Sequence, residues 1–285
     1  MKNVLRTLVY NGQVSLTLAD TTEIVWEGVR LHKLSRTSAA TFGRALSAMT
    51  FMSACLKEET GEISLSAKGN GSGGEIAVSG NRDLCIRGYI DNTEALGDGG
   101  EEAQKECWGE IGSLTIIRND GYSRPFVGAC AFPANGTVDE AFEEYFRISE
   151  QLPTRFQSVV ETDEEGNCTF AGVAVLQPLP FADEETLQKT WAYPLEDALK
   201  RMKTSSVSDV ATALFETSEK VWELRESKYK CNCSRHYLAR VMVALGETQM
   251  REIIAAEGAV RVHCHYCNTD YEFTAKDADA LFKRK

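Results

Sequence analysis

The chain has 285 residues, 43% hydrophobic and 26% charged, a globular composition that excludes a disordered or fibrous protein. Its formal net charge of −11 argues against nucleic-acid binding by the whole surface, although it leaves any one small module open. No stretch approaches the roughly 20 apolar residues of a membrane span, and Arg6, Asn11 and Gln13 interrupt the N-terminal segment before any signal-like run forms, so we expect a cytoplasmic protein with no membrane association.

In chain order, TLVYNGQVSLTLAD reads as strand, turn and strand, with Asn11-Gly12 as the turn. Residues 38–57 read as a helix, because Phe42, Leu46, Met49, Met52 and Leu56 recur at three- and four-residue steps. Met49 and Met52 are candidates for an adaptable apolar binding surface, or else plain core. EISLSA (62–67) and EIAVS (75–79) alternate like strands. Between them Gly69, Gly71 and Gly74 spell a dinucleotide fingerprint, but a phosphate loop must open a helix and a strand follows here, so we read a glycine-rich hairpin. GSLTIIRNDGYSRPFVGACAF gives two strands around Asn119-Asp120-Gly121, and TVDEAFEEYFRISEQLPTRF a helix with Asp139 as N-cap and Pro153 beyond its end. A further strand pair turns at Glu165-Gly166-Asn167. Hairpins with interspersed helices define an α+β domain with antiparallel sheets over residues 1–180. Pro178, Pro180 and the acidic run Asp183-Glu184-Glu185 mark its end, and residues 181–227 read as an uneven amphipathic helical linker, marginal without neighbours.

Nine cysteines divide into two sets. Cys55, Cys85, Cys107, Cys130 and Cys168 are scattered in apolar or strand-like contexts and read as small buried hydrophobes. Cys231 and Cys233 (C-x-C) and Cys264 and Cys267 (C-x-x-C) form two close pairs with thirty residues between them. Two close pairs are the usual way a chain supplies zinc with four sulfurs, and thirty residues leave room for one or two short helices. Residues 228–285 thus read as a small zinc-binding domain. It holds ten Lys/Arg against seven Asp/Glu, and Lys228, Lys230, Arg235, His236, Arg240, Arg261, His263 and His265 flank the cysteines, a setting that favours thiolate. His263 or His265 is an alternative ligand, although four cysteines already close the shell. Both pairs are also close enough for an internal disulfide once an oxidant strips the metal. The site is therefore either a static staple or a switch, and spacing alone favours the staple.

KYKCNCSR, VRVHCHYCNTDYEF and EEYFRISEQLPTRF change that balance. With the C-x-C-S-R and C-x-x-C patterns, the aromatic pair Tyr271 and Phe273, and the segment Tyr145-Phe146 with Ser149 to Pro153, the chain resembles, over its full length, the bacterial redox-regulated heat-shock chaperone family (33 kDa chaperonin). The resemblance implies an ATP-independent holdase, not an enzyme. It implies a reduced, zinc-bound, inactive form with Cys231, Cys233, Cys264 and Cys267 as ligands. It implies activation by oxidants such as peroxide or hypochlorous acid, through disulfides Cys231–Cys233 and Cys264–Cys267, with zinc release, unfolding of the linker, homodimerisation and binding of unfolding client proteins. His236 departs from the family, which commonly has an acidic residue there. The competing readings are a nucleic-acid-binding protein with a static zinc module as reader, and a small-molecule enzyme, for which no catalytic triad is visible.

Overall fold

Alternation of apolar residues makes β1 (Val4–Val9) and β2 (Val14–Asp20), and left-handed φ at Tyr10, Asn11 and Gly12 turns the chain between them. The computed structural model describes residues 2–134, 136–215 and 217–283 and divides into two units, Met1–Lys230 and Cys231–Lys285. Unit one continues with α1 (Thr22–His32), α2 (Arg36–Ala54), β3 (Glu62–Gly69), β4 (Glu75–Asn81), β5 (Cys85–Ile90), α3 (Glu101–Trp108), β6 (Gly112–Asn119) and β7 (Phe126–Ala131). Then come α4 (Val138–Tyr145), a π-helical turn at Phe146–Glu150, β8 (Arg155–Thr162) and β9 (Cys168–Pro178). Three helices follow, α5 (Glu184–Ala192), α6 (Leu195–Met202) and α7 (Val207–Leu214), then β10 (Thr217–Arg225) and the two-residue β11 (Lys228–Tyr229).

The strands form two sheets. One has the order β10-β1-β2-β9-β8 and is antiparallel throughout; the other has the order β11-β5-β4-β3-β6-β7 and is antiparallel except for the β11–β5 edge. This is the α+β architecture expected from the hairpin pattern. Helix α2 packs against strands of both sheets and buries every residue except Arg36 and Arg44. A helix buried all round needs small residues and satisfied hydroxyls. Alanine, serine, threonine and glycine dominate α2, and Thr41, Ser47 and Thr50 donate to the carbonyls of Thr37, Gly43 and Leu46. Met49 and Met52 lie in this core, so the structure gives them no open binding surface.

The glycine-rich segment is the β3–β4 hairpin, with no helix at its end. Gly71 is required by close approach, since a Cβ there would sit 2.4 Å from the Cys107 carbonyl oxygen. Asp139 is not the N-cap of α4. Thr137 holds that place, in a capping box with Glu140, while Asp139 turns inward to Arg44, Nη1 to Oδ2 2.9 Å.

Residues 184–214 are helical as expected, but Thr217–Arg225 is a strand. Pairing decides it: β10 adds to the free edge of β1, with Leu224 opposite Leu5 and Trp222 opposite Thr7. The apolar stripes of α6 and α7 (Leu195, Leu199, Met202, Val210) pack with Leu5, Leu16, Leu18 and Leu176 of the five-stranded sheet. They therefore have a partner within unit one. No helix among the described residues is long and apolar enough to cross a membrane.

Candidate metal centre

Unit two is built around its cysteines. The segment carrying Cys231 and Cys233 runs straight into α8 (Arg235–Leu245), whose N-cap Ser234 accepts from the Tyr237 N–H. Then α9 (Glu247–Glu257) leads to a hairpin of β12 (Val260–Cys264) and β13 (Thr269–Phe273), and α10 (Ala275–Phe282) closes the unit. Cys264 ends β12. The Cys267 N–H returns to the Cys264 carbonyl at 3.3 Å, and Asn268 adopts a left-handed φ of 51°. That tight turn points both hairpin sulfurs the same way. The two helices fill the interval between the cysteine pairs, as its length allows.

The four sulfurs lie within 4.8 Å of one another. Cys231 and Cys264 are 3.7 Å apart, and Cys233 and Cys267 are 3.2 Å apart. Four sulfurs at about 2.3 Å from one tetrahedral ion would be about 3.8 Å apart. The donor set therefore fits a metal ion of zinc's size and softness, and all four candidate ligands are brought together. Neither His263 nor His265 joins the set: His263 Nδ1 lies 2.8 Å from Asp270 Oδ1.

The thiols are not electrostatically equivalent. Burial pushes the Cys233 thiol up, but hydrogen bonding with the Tyr271 hydroxyl (3.2 Å) and the other three thiols outweighs it and holds Cys233 at about 7. Burial raises Cys264 and Cys267. The thiolate-favouring influence comes from these short-range contacts and not, as the sequence suggests, from basic neighbours. The arginines are engaged elsewhere, Arg235 with Asp277 at 2.6 Å and Arg261 with Glu272 at 3.1 Å. Tyr271 drew attention in the sequence only as half of an aromatic pair; its contact with a sulfur has no linear signature.

The scattered cysteines lie elsewhere. Cys107, Cys130 and Cys168 are buried, Cys55 and Cys85 half-buried, and all belong to unit one. Burial lifts Cys130 to about 11 and Cys168 to about 12, which keeps both protonated and unreactive at neutral pH.

A mixed α+β unit followed by a small module with four converging thiols defines a two-part protein with a thiol-rich candidate metal site. Comparison with known proteins gives the family: the Hsp33 protein family matches residues 2–274, and the chain belongs to it, a family of chaperones. A 33 kDa chaperonin of Bacillus mycoides (strain KBAB4) is 31% identical over 292 residues, covering 100% of both chains. A 33 kDa chaperonin of Bacillus cereus (strain AH187) is 31% identical over 291 residues, covering 99% of each. The crystal structure of a 33 kDa chaperonin (heat shock protein 33 homolog) from Thermotoga maritima shares the fold, with a TM-score of 0.83 at 24% identity, over 99% of this chain and 98% of that one.

Proposed function

We propose that the chain is a redox-regulated, ATP-independent holdase, which binds unfolding proteins when an oxidant reaches its four clustered cysteines. The observation that carries this reading is the convergence of those sulfurs within 4.8 Å in a unit too small to stand without them. Its buried core cluster is only Met242, Met250, Val260, Phe273 and Ala278, the other apolar residues packed on it, such as Leu238, Ile253 and Ile254, being half-buried. A core of that size supplies little stability, so closure of the thiol cluster decides whether the unit folds.

In the reduced form Cys231, Cys233, Cys264 and Cys267 are the zinc ligands; the ion, when bound, supplies the cross-link that joins the CNC segment to the β12–β13 hairpin. Oxidation consumes those ligands in pairs. Two ligand thiolates would give two electrons to one peroxide, which takes up two protons from solvent; an S–S bond forms and two waters leave. We assign the pairs as Cys231–Cys233 and Cys264–Cys267, because the loops to be closed are the shortest the chain offers. Two disulfides use all four sulfurs, and the module loses its staple.

Residues 181–227 are the responsive layer. Helices α6 and α7 cover Leu5, Leu16, Leu18 and Leu176. This layer leads through β10 and β11 to Cys231. When it loosens, apolar surface becomes available to unfolding chains and to a second copy of the protein, so the active form is a homodimer. No nucleotide is required and no catalytic residue is assigned. The cytoplasm, where thiols are kept reduced until stress, is the compartment that suits this switch. Arg235, Arg251 and Arg261 are each engaged by a carboxylate, and the chain's net charge of −11 disfavours nucleic acid as partner.

The deciding experiment follows zinc release and suppression of client aggregation together, with and without peroxide. Reduced protein is expected to hold one zinc and suppress nothing; oxidised protein is expected to lose zinc and suppress aggregation without ATP. Serine at 231, 233, 264 or 267 should each abolish stoichiometric zinc binding, whereas Cys130→Ser should retain it. A zinc-free, fully oxidised protein that held no client would leave only a static staple.

A further inference from the structure

Strand β7 is the outer edge of the six-stranded sheet. Phe132 donates its N–H to the Gly112 carbonyl at 3.0 Å, next to the register pair Ala131–Ser113. In an antiparallel ladder this parity sends the N–H and C=O groups of residues 126, 128 and 130 toward β6. Those of Val127, Ala129 and Ala131 point out from the sheet. The Ser149 hydroxyl donates to the Ala129 carbonyl at 3.3 Å; no other partner for these outward groups occurs among the described residues.

Natural proteins defend such edges with lysine, proline, inward charges or bulges. Here prolines stand only at the two ends, Pro125 and Pro133, and none of these devices lies between them. FVGACAF, from Phe126 to Phe132, carries no charged residue, and β6 and β7 pair without a bulge. Phe126 is 47% exposed and Val127 59%, and Val127 sits opposite Ile117, itself 40% exposed. The edge thus offers main-chain donors and acceptors beside an uncharged apolar strip.

We propose that the free edge of β7 takes up an extended, uncharged, apolar segment of an unfolding polypeptide as a seventh strand. The proposal rests on the chaperone reading above and adds a binding mode to it. Main-chain pairing suits a partner of no fixed sequence, because affinity comes from backbone groups that every chain has, and the absence of charge selects apolar segments. A second copy of β7 fits less well. Pro125 and Pro133 frame the edge at positions that continue the outward parity, and neither has an N–H. Antiparallel self-pairing about Ala129 would set proline against proline at both ends, and the carbonyl held by Ser149 against its own copy. The edge lies in unit one and uses no clustered cysteine, so a short extended peptide is expected to bind in either form, whereas holding a whole unfolding client also needs the apolar surface that oxidation exposes.

The test uses a fluorescent, end-capped valine–threonine peptide of about eight residues, a strand-length segment, and its twin methylated at every internal amide nitrogen. Full-length protein should bind the first and not the second, because methylation keeps the side chains but removes the donors. Two variants probe the protein side. Val127→Lys places a charge at an exposed position, and Ala129→Pro deletes an outward N–H without touching the β6–β7 ladder. Ala129→Pro should weaken peptide binding by about tenfold, the order expected for losing one or two net hydrogen bonds, and Val127→Lys should weaken it by setting a charge against an apolar segment, with zinc content and thermal midpoint unchanged in both. Equal binding of the methylated twin would overturn the proposal. So would wild-type affinity in both variants, or variants that lose the oxidised dimer while still binding peptide, which would give the edge to a second copy. Failure of oxidised wild-type protein to hold any unfolding client would strike the holdase reading, a separate result.

Discussion

Tyr271 carries its hydroxyl to within 3.2 Å of the Cys233 sulfur, a contact that helps to draw that thiol down to about 7, while burial raises Cys264 and Cys267. In reduced protein stripped of metal by a chelator, Cys233 should be alkylated ahead of Cys264 and Cys267 at neutral pH, since the thiolate is the nucleophile. Tyr271→Phe removes one of the hydrogen bonds to that sulfur, so the midpoint of its alkylation rate should move to higher pH. Mass-spectrometric mapping of alkylation against pH reads this directly, and an unmoved midpoint would show that the hydroxyl has no part in it. Cys130 poses the opposite case. Its thiol ionises near 9 when unfolded and is pushed by burial to about 11 when folded. Below pH 9 neither state is ionised and the thiol's contribution is fully present. Between 9 and 11 the unfolded chain sheds a proton that the folded one keeps, so rising pH favours unfolding. Urea unfolding at pH 8 and pH 11 should show this loss of stability, and Cys130→Ala should reduce it, Cys168 keeping its own share.

Among the elements, α2 sits in the core of unit one, and one charged residue reaches from it to three of its neighbours, the first being Gln104 on α3 at 2.6 Å. Arg44 meets Asp139 on α4 and donates to the Ser158 backbone carbonyl on β8, while Ser158 also donates its N–H to Asp139 at 2.8 Å. Breaking a mostly buried pair strands the remaining charge, which costs about 3–5 kcal/mol. Asp139→Ala should therefore lower the urea-unfolding free energy by roughly that amount; a change below about 1 kcal/mol would mean the pair is solvated and weak. The α6–α7 layer is the element on which the holdase reading depends most. Its amides are expected to exchange slowly in reduced protein and quickly after oxidation. Leu214→Gly, at the end of α7, should weaken the layer and give partial client binding while zinc is still held. Slow exchange over residues 184–214 in the oxidised, zinc-free protein would remove this layer from the mechanism.

Across the whole molecule, what could be read in one dimension is what depends on local chemistry. The hairpins at Asn11-Gly12 and Glu165-Gly166-Asn167 follow from turn residues, and the four sulfurs from paired spacing. What escaped depends on distant partners. Residues 217–225 read as helix in isolation and become strand because β1, over two hundred residues earlier, leaves an edge to be paired. Asp139 has the chemistry of an N-cap, but Thr137 sits one residue before the helix and Arg44 competes for the carboxylate. The stripes of α6 and α7 announced a missing partner, yet nothing local identified it as the five-stranded sheet. Helix α1 and β5 went unmarked although the first buries one face at helical spacing (Ile24, Val25, Gly28, Val29, His32) and the second alternates, while α3 buries only Cys107 and Trp108 and so carries little period.

The pairing of β10 with β1 also bears on how the protein is made. A ribosome delivers Val4–Val9 first and Thr217–Arg225 more than two hundred residues later, an interval of roughly 10–40 s at cellular rates of synthesis. For all that time one side of β1 has no mate. The sheet is therefore completed only after most of the chain has left the ribosome, and nascent chains halted before residue 217 carry an open, apolar-rich strand of their own. A member of a chaperone family thus passes through a stage of synthesis in which it is itself exposed to aggregation.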